Sequence, residues 1–288
     1  MYHHFRRCAP VLALLIGTLV NATSCDQTDS NDDQLALAAL VIANSTTTVP
    51  VSLVNGSTAI SCGDSFSVGT GPTTVQIQDF RLYLSEFAWI TPDGEVSATL
   101  PDIQGWQKDN AVLIDLENGT GYCSSTGTAD TNRQVVLSQP PANATGLAFS
   151  VGLPVTLNRL SNTTSDSPYN ISALYWSWTT GYKFAKIELK DASNNIYSFH
   201  LGSLSCTGSA GNITCSREMK GRVELSGLTA GKTLQFDIAK WFNGQAFASG
   251  MCMSNESAMC TNLRNRMGLE NTSGNATASN ADAFKVGD

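Results

Sequence analysis

The stretch YWSWTTGYKF, from Tyr175 to Phe184, holds residue types that could react or bind. Five of its ten positions are aromatic, although Phe, Trp and Tyr make up only 8% of the chain. If the stretch begins as a β-strand, Trp176 and Trp178 point to the same face, because successive side chains alternate. Such a pair is typical of a buried core. It could also stack against a sugar or be oxidised, since indole is a good electron donor.

Histidine is scarce: beyond residue 24 only His200 remains. A Ser–His–Asp triad would have to use it, yet the sequence has no G-x-S-x-G turn. It also lacks H-E-x-x-H, a P-loop, G-x-G-x-x-G, CxxC and CxxCH. We therefore expect a protein that is not an enzyme and has no haem or nucleotide of its own. The 24 acidic residues allow carboxylate pairs anywhere, so they carry no catalytic signal.

The cysteines indicate disulfides. Six of the eight lie beyond residue 25, at Cys62, Cys123, Cys206, Cys215, Cys252 and Cys260. An even number in an exported chain is typical of disulfide bonding, and six cysteines allow fifteen pairings. Short spacing favours Cys206–Cys215 and Cys252–Cys260 as local bridges, which leaves Cys62–Cys123. A thiolate metal site is the alternative.

The N-terminus has the features of an export signal. Arg6 and Arg7 precede an apolar run over 11–20 that is too short to cross a membrane. Small residues then precede Cys25, as at the processing site of a bacterial lipoprotein, where the thiol is acylated. We expect residues 1–24 to be removed, Cys25 to anchor the protein on the periplasmic side of a membrane, and residues 25–48 to be a tether. The alternative is a soluble periplasmic or secreted protein.

The charge of the chain argues against a nucleic-acid partner. Removal of residues 1–24 takes away Arg6 and Arg7 but no acidic residue, so the formal charge falls from −7 to −9. No basic stripe remains that could follow a phosphate backbone.

Short runs with alternating polarity, separated by turn residues, predict an all-β fold. Between Val75 and Ile90 the apolar phase changes, which predicts a bulge near Asp79. Pro-Asp-Gly within 91–95 predicts a turn, and residues 232–242 predict a strand followed by a short helix. We expect one β-sandwich-like domain over 49–269, stapled by disulfides, and a flexible tail over 270–288.

Several segments occur in an order that resembles the MbnP-like family, the copper-associated periplasmic proteins encoded beside methanobactin genes and more widely in bacteria. They are QDFRLYLSEFAWI, AVLIDLENGTGYC, LAFSVGLPVTLNRL, ALYWSWTTGYKFAKIEL and FHLGSLSC. The resemblance extends from about Val49 to Leu269. It implies a compact β-sandwich whose partner is a di-haem peroxidase related to cytochrome c peroxidases.

In that family the partner oxidises a tryptophan to kynurenine, and members bind copper. Matched by motif, the resemblance implies Trp176 and Trp178 as candidates for oxidation and His200 as a candidate metal ligand. The sequence therefore predicts a lipid-anchored accessory protein that is a substrate of the peroxidase. The alternatives are a glycan- or partner-binding module without metal and a purely structural lipoprotein.

One departure from the family pattern bears on copper. After GLPVTLN many members carry histidine, whereas here Asn158 is followed by Arg159, whose fixed charge cannot donate a lone pair. Met251, Met253 and Met259 could offer thioethers to Cu(I), although methionine more often fills gaps in a core. We expect copper binding by the unmodified protein to be weak or absent.

Two polar residues have structural roles in this interpretation. Arg81 is expected to form an ion pair with Asp79 or Asp115. Asn158 is expected to cap a turn.

Overall fold

The computed structural model describes residues 45–125, 127–177, 180–209, 211–253, 257–270, 274 and 281–288. The predicted signal peptide, the predicted anchor Cys25, most of the tether and Trp178 lie outside the described residues. Residues from Thr46 to Asp288 form one compact unit. Within the described ranges, no helix is long and apolar enough to cross a membrane.

Ten strands form the larger sheet of the described chain. Its main path is, in spatial order, β16 (Gly221–Ser226), β9 (Gly146–Val151), β4 (Thr73–Thr91), β12 (Ala185–Asp191), β13 (Ile196–Leu201) and β18 (Gly250–Cys252). Three strands pair with β4 beside this path: β3 (Phe66–Val68), β5 (Gly94–Ser97) and β7 (Ala111–Asp115). The short strand β6 (Gln107–Lys108) pairs with β7. The pairs are antiparallel apart from β13 with β18.

The second sheet has five strands, in the order β19 (Phe284–Gly287), β17 (Thr233–Asp237), β1 (Thr46–Asn55) and β2 (Thr58–Ala59), with β8 (Gln134–Ser138) also paired to β1. Strands β1 and β17 are parallel. Two separate hairpins complete the described strands: β10 (Tyr175–Ser177) with β11 (Gly181–Tyr182), and β14 (Leu204–Ser209) with β15 (Asn212–Arg217).

The helices of the described chain are short: α1 (Val155–Asn158), α2 (Ile238–Trp241) and α3 (Ala258–Asn265), with 3-10 turns at Gly121–Ser125 and Ser172–Leu174. Helix α2 follows β17 directly, which confirms the predicted strand-to-helix segment. Asp237 caps it, because its carboxylate accepts a hydrogen bond from the backbone N–H of Ala239 at 3.0 Å.

A bulge gives β4 a continuous apolar face. Along β12, Leu189 is opposite Ile77 and Ile187 is opposite Phe80, so β4 has one extra residue between these pairs. Because Ile187 and Leu189 share a face, the bulge places Ile77 and Phe80 on that face as well. The phase change predicted near Asp79 is therefore confirmed.

Aromatic rings join the two sheets across the core. Phe80 contacts Phe236 at 5.1 Å between ring centroids, and Phe149 contacts Phe284 at 5.4 Å, both edge to face. Each such pair adds about 0.5–1.5 kcal/mol beyond the burial of its area. The predicted all-β sandwich is confirmed.

The three disulfides have the predicted pairings: Cys62–Cys123, Cys206–Cys215 and Cys252–Cys260. Cys206 and Cys215 are opposite each other on the β14–β15 hairpin. The bond between Cys62 and Cys123 spans 61 residues, against 9 for the hairpin bond. In the chain-entropy model it restricts the unfolded state more, by about 4 kcal/mol against about 2.5 kcal/mol.

Both boundaries of the folded domain differ from those expected. Strand β1 begins at Thr46 and pairs with β8, so the last three residues of the expected tether are part of the sandwich. At the other end, the tail expected to be flexible contains β19, which pairs with β17. Four residues are too few for periodicity to reveal a strand, and the pairing partner lies about fifty positions earlier in the chain.

Candidate functional site

Trp176 lies on the short β10–β11 hairpin, which pairs Tyr175 with Tyr182. Its side chain is partly exposed. A Cβ placed on Gly202 would lie 2.4 Å from Cζ3 of Trp176, so the indole benzo ring lies directly against the backbone of Gly202. The HLGS segment thus forms the floor under Trp176, and any side chain at position 202 would displace the ring.

The other described tryptophans have different surroundings. Trp89 and Trp241 are buried, at 1% and 0% exposure. Trp106 is partly buried and packs against the hydrophobic core. The second candidate, Trp178, lies outside the described residues, so the prediction that it shares a face with Trp176 stays a prediction.

Four tyrosines form a connected ring cluster next to Trp176. The ring centroid of Tyr182 lies 5.0 Å from that of Tyr175, 5.9 Å from Tyr83 and 6.0 Å from Tyr169. Tyr83 and Tyr169 stack at 6.1 Å. Tyr175 is partly exposed, whereas the other three are buried. We call these four residues the tyrosine cluster.

Asn158 attaches the hairpin to the rest of the domain. Its Oδ1 accepts a hydrogen bond from the backbone N–H of Tyr182 at 2.8 Å, and its Nδ2 donates to Oγ of Ser203 at 3.2 Å. Gly181, at φ +78°, leaves the space that Asn158 fills, since a Cβ there would lie 2.2 Å from Oδ1. Asn158 was predicted to cap a turn of its own segment; its side chain instead hydrogen-bonds to residues within 180–203, which are distant in the chain.

His200 is buried on β13, two residues before Gly202. Its Nε2 lies 2.8 Å from Oε1 of Glu188 on β12. Among the described residues, Nδ1 has no hydrogen-bond partner. Because a carboxylate accepts, Nε2 carries the proton of this hydrogen bond, and in the neutral form of the ring the lone pair is on Nδ1.

Beneath His200 a chain of buried ionised side chains crosses three strands and reaches the segment after β7. Lys186 lies 3.3 Å from Glu188 and also contacts Asp79. Arg81 holds Asp79 through Nε at 2.9 Å, and its Nη1 lies 2.9 Å from Glu117. We call this set with His200 the buried ionic network. The predicted pair of Arg81 with Asp79 is confirmed.

Two buried carboxyl groups, Glu188 in the network and Asp115 beside it, have pKa values shifted in opposite directions. Burial would raise the pKa of Glu188, but the hydrogen bond from His200 and the charge of Lys186 lower it to about 2. For Asp115, on β7 opposite Arg81, burial outweighs the charge of Arg81 and raises the pKa to about 6. Glu188 is therefore held as the charged partner of His200 and Lys186.

Most of this network was missed by sequence reasoning, which proposed Arg81 with Asp79 or Asp115 and His200 alone. The segment AKIELK does show that Lys186 and Glu188 share one face of a strand, since they alternate with Ile187 and Leu189. The sequence alone would place that face in solvent, because charged residues are seldom fully buried unless paired. Only the arrangement of β4, β12 and β13 shows that partners cover them.

Side chains that could bind a metal ion are scattered in the described residues. No group of three or more His, Cys, Asp or Glu in the described part of the chain could hold a metal ion. Met259 is partly buried against the core, and Met251 is 51% exposed. One unpartnered imidazole nitrogen at His200 is a single donor, so these residues do not fit a copper site by themselves.

A family model named MbnP matches residues 44–259. The chain belongs to the MbnP family. Among solved structures, MbnP from Methylosinus trichosporium matches it with a TM-score of 0.69 and 22% sequence identity, over 84% of this chain and 98% of that chain. At this identity the likeness shows a shared fold. No curated protein sequence matches the chain.

In this MbnP-family protein, three motif segments meet at the β10–β11 hairpin that carries Trp176. GLPVTLN supplies Asn158, the aromatic stretch supplies Trp176 and Tyr182, and HLGS supplies Gly202. Arg159 is turned to a structural use, because its Nε donates a hydrogen bond to the backbone carbonyl of Ile213 at 2.7 Å.

Proposed function

We propose that this protein is an exported accessory protein, anchored at the periplasmic side of a membrane through lipid on Cys25, and that Trp176 or Trp178 is oxidised to kynurenine by a di-haem peroxidase. The chain is then a substrate and not an enzyme. The peroxidase supplies the oxidising equivalents from hydrogen peroxide, because the sequence of this chain has no haem-attachment motif.

The observation that carries this proposal is the setting of Trp176. The ring is partly exposed, so a docked partner can approach it, and it lies against the backbone of Gly202. The hairpin that presents it is held by Asn158. Trp89 and Trp241 have no comparable access, since both are enclosed in the core.

The test is treatment of the purified protein with its cognate di-haem peroxidase and hydrogen peroxide, followed by tandem mass spectrometry of every tryptophan peptide. We expect kynurenine at Trp176 or Trp178 and at no other tryptophan. The matching Trp→Phe variant should abolish the product. The control variant Trp106→Phe removes a partly exposed tryptophan elsewhere and should leave the yield unchanged.

Two outcomes would contradict the proposal. Modification confined to Trp89, Trp106 or Trp241 would make the aromatic stretch ordinary packing. Absence of kynurenine with an active cognate peroxidase would favour the alternative, a non-catalytic module that binds a glycan or protein partner. In that case, loss of binding to a surface partner on Trp176→Ala would be the next measurement.

For copper we propose weak binding or none by the unmodified protein. Arg159 is hydrogen-bonded to a backbone carbonyl, and His200 offers one nitrogen, Nδ1, to a ligand. Titration with Cu(I) and Cu(II) against a competing chelator tests this. A tight one-to-one complex that disappears in His200→Ala would show that further donors complete the site.

A further inference from the structure

The tyrosine cluster offers an oxidising equivalent a path inwards from the surface. Tyr175 follows Leu174 and directly precedes Trp176, and its ring lies 5.0 Å from Tyr182. Tyr182 in turn contacts both Tyr83 and Tyr169 within about 6 Å. Electron transfer over such separations is not limited by distance. Whether these phenols are oxidised therefore depends on whether each phenolic proton can be released to a base.

Oxidation of a phenol at neutral pH releases a proton together with the electron, because the phenol radical cation is a very strong acid. A base within hydrogen-bond reach must receive that proton. In the cluster, Tyr83 donates its hydroxyl to the carbonyl of Pro168 at 2.6 Å, and Tyr182 donates to the carbonyl of Tyr169 at 2.8 Å. A peptide carbonyl is not a base that can keep a proton at neutral pH.

The third buried member follows the same pattern, since Tyr169 donates its hydroxyl to the carbonyl of Lys108 at 2.7 Å. Ser165 lies near Tyr182 and acts to lower the pKa of its phenol, but a hydroxyl is no better as a base. Burial raises the pKa of all three phenols, that of Tyr182 to about 12. Tyr175 differs because it is partly exposed, so water can take its proton.

We propose that the buried members of the tyrosine cluster, Tyr83, Tyr169 and Tyr182, keep an oxidising equivalent at the surface, because in the described part of the chain each donates its hydroxyl to a peptide carbonyl and not to a base. This inference rests on the proposed function, since it concerns what happens after Trp176 has been oxidised. The cluster packs against the hairpin, but its buried tyrosines do not reduce the tryptophan radical. The radical therefore persists at Trp176 long enough to be converted to kynurenine.

The steps balance as follows for a one-electron oxidant such as a ruthenium(III) polypyridyl complex. Trp176 gives one electron to the metal, which becomes ruthenium(II), and the indole N–H proton passes to water. To move the radical inwards, Tyr182 would give one electron to the tryptophanyl radical, which takes a proton from water. Tyr182 would also have to release its phenolic proton to the carbonyl of Tyr169, and this is the step that the structure blocks.

The test uses light-generated ruthenium(III) on the full exported chain, with rapid freezing and electron paramagnetic resonance to separate tyrosyl from tryptophanyl radicals. The partly exposed tyrosines are first removed by Tyr122→Phe and Tyr175→Phe, so that any tyrosyl signal comes from a buried ring. We expect a tryptophanyl signal and no tyrosyl signal. A tyrosyl signal that disappears on replacing Tyr83, Tyr169 or Tyr182 by Phe would overturn the inference.

Giving Tyr182 a base supplies the positive test. Ser165→Asp replaces a hydroxyl near Tyr182 by a carboxylate, and Ser165→Asn is the matched control of the same shape without a base. We expect a tyrosyl signal that rises several-fold in Ser165→Asp alone and is lost again with Tyr182→Phe. If the signal does not rise in a folded Ser165→Asp variant, or in Ser165→His should the first not fold, proton withholding is not the cause.

The peroxidase assay is a separate readout. If the cognate peroxidase makes no kynurenine, the proposed function fails while the photochemical result stands. If kynurenine forms but the buried tyrosines carry radicals, only the inference fails. With both correct, Ser165→Asp should lower the kynurenine yield and Ser165→Asn should not.

Discussion

At the scale of single residues, the position of Trp176 depends on a residue without a side chain. Gly202 lets the indole ring lie against the backbone, and the carbonyl of Tyr182 approaches the same point. A Cβ at position 202 would lie 2.4 Å from the ring and 2.6 Å from that carbonyl. The location of the candidate site is therefore set by close packing at one glycine.

Gly202→Ala is expected to move the ring of Trp176 outwards and to cost about 1–3 kcal/mol of stability, as overpacking does. Acrylamide quenching should find Trp176 more accessible, measured as the difference from Trp176→Phe. Gly250→Ala is the matched control, since its Cβ would have its nearest contact at 3.6 Å. Equal effects of the two substitutions would mean that Trp176 does not depend on Gly202.

The burial of Asp115, beside the buried ionic network, predicts an unusual dependence of stability on pH. Its folded pKa, about 6, is raised above the ordinary value of 3.8. A carboxyl group whose pKa is raised in the folded state stabilises that state most below about pH 4. This contribution to the free energy of unfolding is lost as the pH rises through 6. Asp115→Asn keeps the oxygen that accepts a hydrogen bond from the backbone N–H of Glu117 and removes the charge.

The stability of Asp115→Asn relative to the native protein should therefore increase between pH 4 and pH 7.5, by on the order of 2 kcal/mol. Urea denaturation at both pH values measures it. Glu188→Gln should change in the opposite direction over lower pH, because the pKa of Glu188 is lowered. A difference for Asp115→Asn that is the same at both pH values would contradict the assignment.

At the scale of elements, β4 organises the sandwich. It pairs with five other strands, and its bulge turns Ile77 and Phe80 to one face. The opposite face carries Asp79 and Arg81, which pair with each other, and Asp79 also contacts Lys186 on β12. The same strand therefore supplies both the apolar core and the ionic network behind His200.

Strand β19 should contribute strongly to stability although it lies in a polar tail. Phe284 is 4% exposed, and its ring contacts Phe149 at 5.4 Å and Phe236 at 5.1 Å. Phe284→Ala is expected to cost about 3–5 kcal/mol in urea unfolding, as large-to-small changes in a core do. Val286→Ala, on the same strand and partly buried, should cost clearly less. A loss under 1 kcal/mol for Phe284→Ala would mean that β19 is not docked.

At the scale of the whole molecule, the proposed function predicts where the protein is found. Without residues 1–24 the chain has a formal charge of −9. We predict that Cys25→Ala releases the protein from membranes into the soluble periplasmic fraction, because the acylated thiol would be its anchor. Cys8→Ala changes a cysteine within the predicted signal and should leave fractionation unchanged. A membrane-bound Cys25→Ala protein would contradict the anchor.

Features of the fold that depend on neighbours in the chain were predictable from the sequence. Alternation of polarity predicted the strands, the phase change near Asp79 predicted the bulge, and short spacing predicted the pairing of Cys206 with Cys215. The aromatic stretch was identified as the candidate site for the same reason, since its rings are consecutive in the chain. Local patterns of this kind follow from the periodicity of a strand and need no knowledge of distant segments.

The tertiary structure alone decided what surrounds those residues. The tyrosine cluster joins Tyr83 on β4 to Tyr169 and Tyr182 about a hundred positions later. The floor under Trp176 comes from Gly202, and β19 finds β17 across the chain. No spacing rule predicts these contacts, because they arise when separate strands are brought side by side. Which charges are buried, which phenols donate to backbone carbonyls and how Trp176 is presented therefore depend on packing between strands that are remote in sequence.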